Sequence, residues 1–473
     1  MATMFPALDA IYQRYQKAEN LPGLVYGVVR EGRLVHVQGM GLASVETGAP
    51  VQAETFFRIA SMTKVVTALA VLLLRDRGAL SLDATLESFV PSFAKIGLPT
   101  ADSRPITLRD LLTHVAGFVT DDPWGDRLLG QSLEDFDRML GDGMEFSRAP
   151  RIDFEYANLG YTLLGRVIES ASHEPYSGFV EREILRPLGM QRTTFEIDDL
   201  AAGELALGYR HNDGAWTPAR LEHDGAYGAM AGIVTNAVEY ARFVGFLLDA
   251  WPARDRADHG PVARASCREL AVLHSAPRAP TFRTHQGRAI ATASAYGYGL
   301  VNSADAELGR ILHHRGGLPG YGSHFMFSPE TGIGIFSFAN RTYAAMNEPN
   351  MDAAQALKDA GLWAVPPLPV SRHLAAALET VVQIYRSGHV ETQENALAIN
   401  VLLDRPADER NRELADLAAR LGALERIEAE PINALQAKLV LVCARGKVRG
   451  ELLLTGEKPP RIQTLSLEAA PAA

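Results

Sequence analysis

A serine and a lysine three residues apart can act as nucleophile and base when a helix carries them, because positions i and i+3 share one helical face. Ser61-Met62-Thr63-Lys64 has that spacing. A serine hydroxyl is a weak nucleophile until a neighbour takes its proton, and a desolvated lysine amine can drop its pKa enough to take it. Lysine is scarce in this chain and arginine supplies most of the positive charge. An amine at position 64 is therefore informative, since a guanidinium cannot give up its proton. The plainer reading of Ser61 is a helix N-cap. The same spacing recurs at Ser92-Phe93-Ala94-Lys95, so spacing alone does not decide. Context does. Ser92 follows Pro91 in a loop-like stretch, whereas Ser61 opens the most apolar helical run of the chain.

Two further groups could complete such a site. Tyr156-Ala157-Asn158 precedes a helical run from Leu159, and a phenol beside a lysine can relay a proton while an amide holds the amine or a substrate carbonyl. The competing reading makes Asn158 a helix cap and Tyr156 a packed aromatic. His314-Arg315-Gly316-Gly317 ends a strand-like run, where small residues let a substrate lie along the strand and the Gly317 N–H can face an oxyanion. His314 could bind an anionic group or tune the proton relay.

The elements that must position these residues follow from periodicity. Phe5 to Tyr15 reads as a helix, and Leu24–Val29 with Leu34–Val37 as a hairpin turned by Arg30–Arg33. Met62–Arg77 reads as a buried helix closed by Gly78, and Ile106–His114, Leu133–Leu140, Leu159–Ser172 and Ala237–Ala250 as further helices. Strand signals return at Tyr296–Val301, Arg310–His313, His324–Phe327 and Ile333–Phe338. The expected fold is therefore an α/β (α+β) assembly: an antiparallel sheet from both ends of a catalytic domain over 1–365, with a mostly helical insertion at about 80–290. Pro366-Pro367-Leu368-Pro369 marks a linker over 366–371, and 372–473 reads as a small α+β domain. Leu374–Tyr385 and Asn411–Leu421 are its expected helices; Leu397–Leu403, Lys438–Cys443 and Arg449–Leu454 are its expected strands.

Composition narrows the partners. A net charge of −10 without a Lys/Arg cluster disfavours nucleic acid and anionic membrane. No apolar run of about 18 residues is present, and no secretory leader is visible, so a cytoplasmic location is expected. Cys267 and Cys443 fall in different expected domains, which argues against a disulfide. The chemistry calls for no cofactor and no metal: His313 and His314 are adjacent, and a strand would point them apart.

Taken in order, these motifs resemble the penicillin-binding protein and class C β-lactamase superfamily, in which Ser-x-x-Lys, Tyr-x-Asn and a glycine-rich strand follow one another. Ile106–His114 with Val115-Ala116-Gly117 is similar to that family's ITxxxLLTHTSG stretch. Phe56–Thr63, Ala231–Thr235 and His314–Tyr321 resemble its other signatures, so the likeness spans about residues 5 to 345. It implies a β-lactamase/transpeptidase-like fold and an acyl-enzyme on Ser61. It further implies that Lys64 and Tyr156 share the base role, that Asn158 positions lysine and substrate, and that the Ser61 and Gly317 N–H groups form the oxyanion hole.

His314 and Arg315 stand where class C β-lactamases carry lysine and a small hydroxyl residue. That pattern is more similar to the esterases, D-aminopeptidases and carboxypeptidases of the superfamily, with a small ester, amide or D-peptide as substrate. A β-lactamase or penicillin-binding protein with weak lactam turnover, and a catalytically silent binding protein, are the alternatives. An α/β-hydrolase would need a Gly-x-Ser-x-Gly elbow, which is absent. The tail from Leu374 resembles cystatin-like or nuclear-transport-factor-like appendages and could brace the catalytic domain or a homo-oligomer.

Overall fold

The computed structural model describes residues 1–122, 124–276, 281–283 and 289–471. It contains two units, Met1–Ala364 and Val365–Ala473. In the first, α1 (Phe5–Ala18) precedes the hairpin of β1 (Gly23–Arg30) and β2 (Arg33–Gly41). A two-residue strand, β3 (Phe57–Arg58), and a 3₁₀ turn (Ala60–Met62) run directly into α2 (Thr63–Asp76). The middle of the chain forms α3 (Leu108–Leu112), α4 (Leu133–Gly141), α5 (Asn158–Ser172) and α6 (Tyr176–Val180). Next come the hairpin β4 (Tyr209–Asn212) and β5 (Ala215–Pro218), then α7 (Gly228–Ala231), β6 (Val234–Thr235), α8 (Ala237–Leu248) and α9 (Arg264–Glu269). Strands β7 (Thr281–Arg283), β8 (Ala289–Tyr296), β9 (Val301–Asp305), β10 (Gly309–Leu318), β11 (Tyr321–Ser328) and β12 (Ile333–Ala339) follow, and α10 (Asn347–Asp359) ends the unit.

One antiparallel sheet of order β2-β1-β12-β11-β10-β9-β8-β7 organises the unit. The first and last strands in sequence are neighbours, with Val25 opposite Phe338. Helices cover both faces, so the central strands are buried throughout. Alternation divides β1 between two cores: Val25 and Val29 join α2, α5 and α8 on one side, and Leu24, Tyr26 and Val28 join α1 and α10 on the other. The hydroxyl of Tyr12 on α1 donates to Asn350 Oδ1 on α10 at 2.6 Å, tying the outer layer together.

Two elements of the first unit differ from the pattern reading. Tyr296–Val301 is the link between β8 and β9 and not a strand, because Gly297 and Gly299 break the ladder. Gly299 has φ +72°, and a Cβ there would lie 2.8 Å from the Lys64 carbonyl, so this turn packs directly on α2. The run at Ile106–His114 yields only the short α3, fixed by a capping box in which Asp110 accepts from the Thr107 N–H at 2.8 Å. After the helical segment the sheet resumes earlier than an insertion to about 290 implies, at Thr281.

The second unit packs α11 (Arg372–Ser387), α12 (Ile399–Asp404) and α13 (Ala407–Leu421) on a four-stranded antiparallel sheet. Its strands, in spatial order, are β13 (Leu424–Asn433), β14 (Gln436–Cys443), β15 (Gly446–Leu454) and β16 (Ile462–Ala469). Leu374, Val381, Leu439 and Leu452 anchor its core. Leu397–Leu403 is not a strand: Val401 faces inward from α12 while Ile399 and Leu403 stay exposed. Both cysteines are free and buried, one in each unit.

Candidate active site

Every residue of α2 from Thr63 to Leu74 is buried, so the Lys64 side chain lies in the protein interior, out of contact with bulk solvent. Its Nζ finds three acceptors, the number an ammonium can serve: Ser61 Oγ at 3.0 Å, Asn158 Oδ1 at 2.7 Å and the Met230 carbonyl at 3.0 Å. Burial lowers its pKa to about 8, against the pull of Asp122, Asp126 and Asp121. The Tyr156 side chain lies beside Ser61, and its ring is 5.0 Å from the Lys64 amine. Burial raises the phenol well above its ordinary range. Tyr156 is thus a neutral hydroxyl near neutral pH, and Lys64 is the member of the trio that titrates there.

Ser61 sits in the first turn before α2, where leading N–H groups lack helical partners. The preceding residue, Ala60, has φ +50°, an uncommon conformation for a residue with a Cβ. Strand β10 presses on this turn. A Cβ on Gly316 would lie 2.3 Å from the Ile59 carbonyl oxygen and 3.1 Å from the Ala60 Cβ, so only glycine lets the strand approach so closely. The Ser323 hydroxyl on β11 donates to that same Ile59 carbonyl at 2.7 Å. A Cβ on Gly317 would meet the Tyr343 ring at 2.7 Å.

His314 is 4% exposed and points to Tyr296 rather than to solvent. Its Nδ1 lies 2.6 Å from the Arg315 carbonyl, which can only accept, so Nδ1 carries the proton. Nε2 then accepts from the Tyr296 hydroxyl at 2.9 Å. Burial and the Lys64 charge push His314 down to about 3, so it is a neutral strut and not an anion-binding cation. Arg315, next along the strand, is exposed at the mouth.

Ser61, Tyr156, His314, Arg315, Gly316 and Gly317 line one cavity of about 680 Å³, with Lys64 and Asn158 bonded behind it. The structure therefore brings all eight sequence candidates together. Ser92 lies elsewhere, half-buried on a short turn (Pro91–Lys95) whose lysine is exposed. Asn158 is the first residue of α5 and not its cap; Asp121 caps the helix, accepting from the Asn158 and Leu159 N–H groups at 2.6 and 2.8 Å.

Several groups here escaped sequence reasoning. Asp122 accepts from Asn158 Nδ2, and Asp126 accepts from the Tyr343 hydroxyl at 2.9 Å. Burial and Asp122 raise Asp126 to about 7. The His114 ring packs at a tilt against the Tyr156 ring, centroids 4.4 Å apart, and takes the Ala157 N–H on Nδ1 at 3.2 Å, holding the tyrosine loop in place. The advance signals were His114 at the end of the Ile106–His114 stretch, whose role was not read, and the run Asp121-Asp122-Pro123-Trp124-Gly125-Asp126, which looks like an ordinary polar loop.

A family model described as Beta-lactamase matches residues 8–360. The chain belongs to the β-lactamase family. Among characterised relatives, esterase EstB of Burkholderia gladioli is 31% identical over 238 residues, covering 46% of this chain and 58% of that protein. Protein flp of Staphylococcus aureus strain COL is 25% identical over 336 residues, covering 70% of this chain and 62% of the relative. The alignments thus span less than two thirds of either relative. The octameric penicillin-binding protein homologue from Pyrococcus abyssi superposes with a TM-score of 0.62 at 21% identity, covering 95% of this chain and 96% of that one. It shows the β-lactamase/transpeptidase-like fold.

Proposed function

We propose that this β-lactamase-family protein is a serine hydrolase that forms an acyl-enzyme on Ser61 and acts on esters or D-amino-acyl amide bonds in preference to β-lactams. The observation that carries this reading is the Lys64 amine, fully buried, 3.0 Å from Ser61 Oγ and pushed down to about 8. At pH 7 about one lysine in ten is then neutral and able to take the serine proton, directly or through the Tyr156 hydroxyl. Ser61 Oγ bonds to the substrate carbonyl carbon as its proton passes to Lys64. The oxyanion faces the Ser61 and Gly317 N–H groups, and collapse breaks the bond to the alcohol or amine, which leaves with the proton returned through Tyr156. Water then repeats the cycle on the ester of Ser61 and releases the acid. Asn158 holds Lys64 in line throughout.

The preference against lactams rests on β10. A β-lactam carries a carboxylate, and His314, neutral and bonded at both ring nitrogens, offers it no charge. An esterase among the relatives supports the ester reading. The test is a side-by-side assay of p-nitrophenyl esters, D-alanyl peptides and nitrocefin, with intact-mass detection of the acyl adduct. Ester or D-peptide turnover through a Ser61 adduct is expected. Nitrocefin turnover matching the best ester would overturn the preference.

A further inference from the structure

We infer that Asp122 is a positioning residue for the proposed reaction: its carboxylate fixes the Asn158 amide so that the amide oxygen, and not the nitrogen, faces Lys64. This rests on the reading of Ser61 as nucleophile and Lys64 as base, and adds a further member behind them. The two ends of a carboxamide are nearly alike in size and opposite in hydrogen-bonding role. Packing therefore cannot orient Asn158, and its partners must. One end lies 2.7 Å from Lys64 Nζ, and the other reaches Asp122 Oδ1. An ammonium only donates and a carboxylate only accepts, so this pair of neighbours admits one orientation. Asn158 has no exposed surface, so bulk water satisfies neither end.

Three aspartates surround this residue, and their roles differ. Asp121 takes the Asn158 backbone N–H at 2.6 Å. Asp126 Oδ1 stands 3.5 Å from Nδ2, the limit of a hydrogen bond, while its Oδ2 accepts from Tyr343. Asp122 is thus the principal acceptor of the amide. The result is a chain of alternating roles. Asp122 accepts from Asn158 Nδ2, Asn158 Oδ1 accepts from Lys64, and Lys64 donates to Ser61 Oγ at 3.0 Å. An aspartate that fixes the tautomer of a catalytic histidine divides the labour in the same way, orienting a partner without taking the proton itself.

Orientation has a chemical consequence. A turned amide would point an N–H at Lys64, and the ammonium formed when Lys64 takes the Ser61 proton would lose an acceptor. Asp122 also acts on Lys64 by charge, ahead of Asp126 and Asp121 among the groups that oppose its burial. Substitution separates the two effects: Asp122→Asn removes the charge and keeps an acceptor for Nδ2, whereas Asp122→Ala removes both. The titratable groups around Lys64 are Asp121, Asp122, Asp126, His114, His314, Tyr156 and Tyr161. Burial keeps both histidines neutral and both phenols protonated near neutral pH. Asp126, pushed up to about 7, titrates beside Lys64 and is retained in every variant compared.

The experiment measures stopped-flow acylation by p-nitrophenyl butyrate from pH 6 to 10 in wild type, Asp122→Asn and Asp122→Ala, and in both variants combined with Asn158→Ala. Above pH 9, where Lys64 is largely neutral, Asp122→Ala is expected to lower the acylation rate constant about tenfold with KM unchanged, the worth of one hydrogen bond serving a charged group. Asp122→Asn, which keeps the acceptor, should recover most of that loss. With Asn158 replaced by alanine, the two Asp122 variants should agree within twofold. Equal rates in Asp122→Ala and Asp122→Asn with Asn158 present would overturn the inference. So would a tenfold gap between them that survives Asn158→Ala, or a loss confined to KM, which would place Asp122 on the substrate. Lysine ¹³Cε NMR, with the Lys64 resonance assigned by Lys64→Arg, reads the amine without turnover. Both variants should lower the Lys64 midpoint from about 8, and Asp122→Ala further than Asp122→Asn, because only a turned amide sets a donor against the ammonium. Coincident midpoints in the two variants would overturn the inference even in a protein that hydrolyses esters. A wild type that neither hydrolyses nor labels at Ser61 would sink the proposed function, and the order of the NMR midpoints would still decide the role of Asp122.

Discussion

A single methyl group on Gly316 should disable the site without unfolding the protein. In Gly316→Ala the new carbon would start 2.2 Å from Ser323 Oγ and 2.3 Å from the Ile59 carbonyl oxygen. An ordinary carbon–oxygen contact is about 3.3 Å, so roughly 1 Å must be yielded by β10, by Ser323 or by the turn that carries Ser61. Ser323 cannot simply rotate away, because its hydroxyl satisfies the Ile59 carbonyl at 2.7 Å. Ile59 lies two residues before the nucleophile, and Gly317, the proposed oxyanion donor, lies one residue after the substitution. A displacement of about 1 Å at such a centre costs about a hundredfold in rate. Overpacking should cost about 1–3 kcal/mol in stability, which a unit of this size tolerates. Steady-state kcat/KM on p-nitrophenyl butyrate, read beside thermal unfolding, separates the two effects. Gly97→Ala is the control, since a Cβ there meets nothing within 4 Å. Activity of Gly316→Ala within threefold of wild type would refute the claim that this glycine sets the approach of β10 to the nucleophile.

Three other outcomes follow from the same geometry. With a neutral ester, the acylation rate should rise with pH toward a plateau above about 8, climbing close to tenfold from pH 6 to 7, because the reactive form of Lys64 is the deprotonated one; a flat stopped-flow profile from pH 6 to 8 would contradict Lys64 as base. His314→Lys should raise nitrocefin kcat/KM by about tenfold, the worth of one charge-assisted hydrogen bond of about 1.5 kcal/mol, and no change would show that the carboxylate is bound elsewhere. Asp121→Ala removes the acceptor of two leading N–H groups of α5 and should cost about 1–2 kcal/mol in chemical denaturation; an unaltered midpoint would mean that the cap is dispensable.

The nucleophile was legible in the sequence because its demands are local. A serine opening an apolar helix with lysine on the same face is a pattern of four residues, and folding only had to bury it. Gly316 and Gly317 were legible as a place of close approach, though what approaches, the Ile59 carbonyl and the Tyr343 ring, comes from distant segments. Asp122 and Asp126 were invisible for that reason: in sequence they are acids in a polar loop, and only the fold brings Asn158 and Tyr343 to them. Tyr296–Val301 misled because aromatic and aliphatic residues around two glycines look like a strand, whereas the glycines turn the chain onto α2. Leu397–Leu403 misled because its apolar run exceeds what α12 buries, leaving Ile399 82% and Leu403 75% exposed. β13 went unread because Leu424–Asn433 alternates charge with only partial burial, as suits an edge strand.

The central claim is that Ser61, and no other serine, becomes covalently bonded to substrate. Intact-mass spectrometry after incubation with a fluorophosphonate tests it most directly, using wild type, Ser61→Ala and Ser92→Ala. One adduct per chain is predicted in wild type and in Ser92→Ala, mapping to the peptide that contains Ser61, with none in Ser61→Ala. An adduct that persists in Ser61→Ala, or that vanishes in Ser92→Ala, would contradict the account.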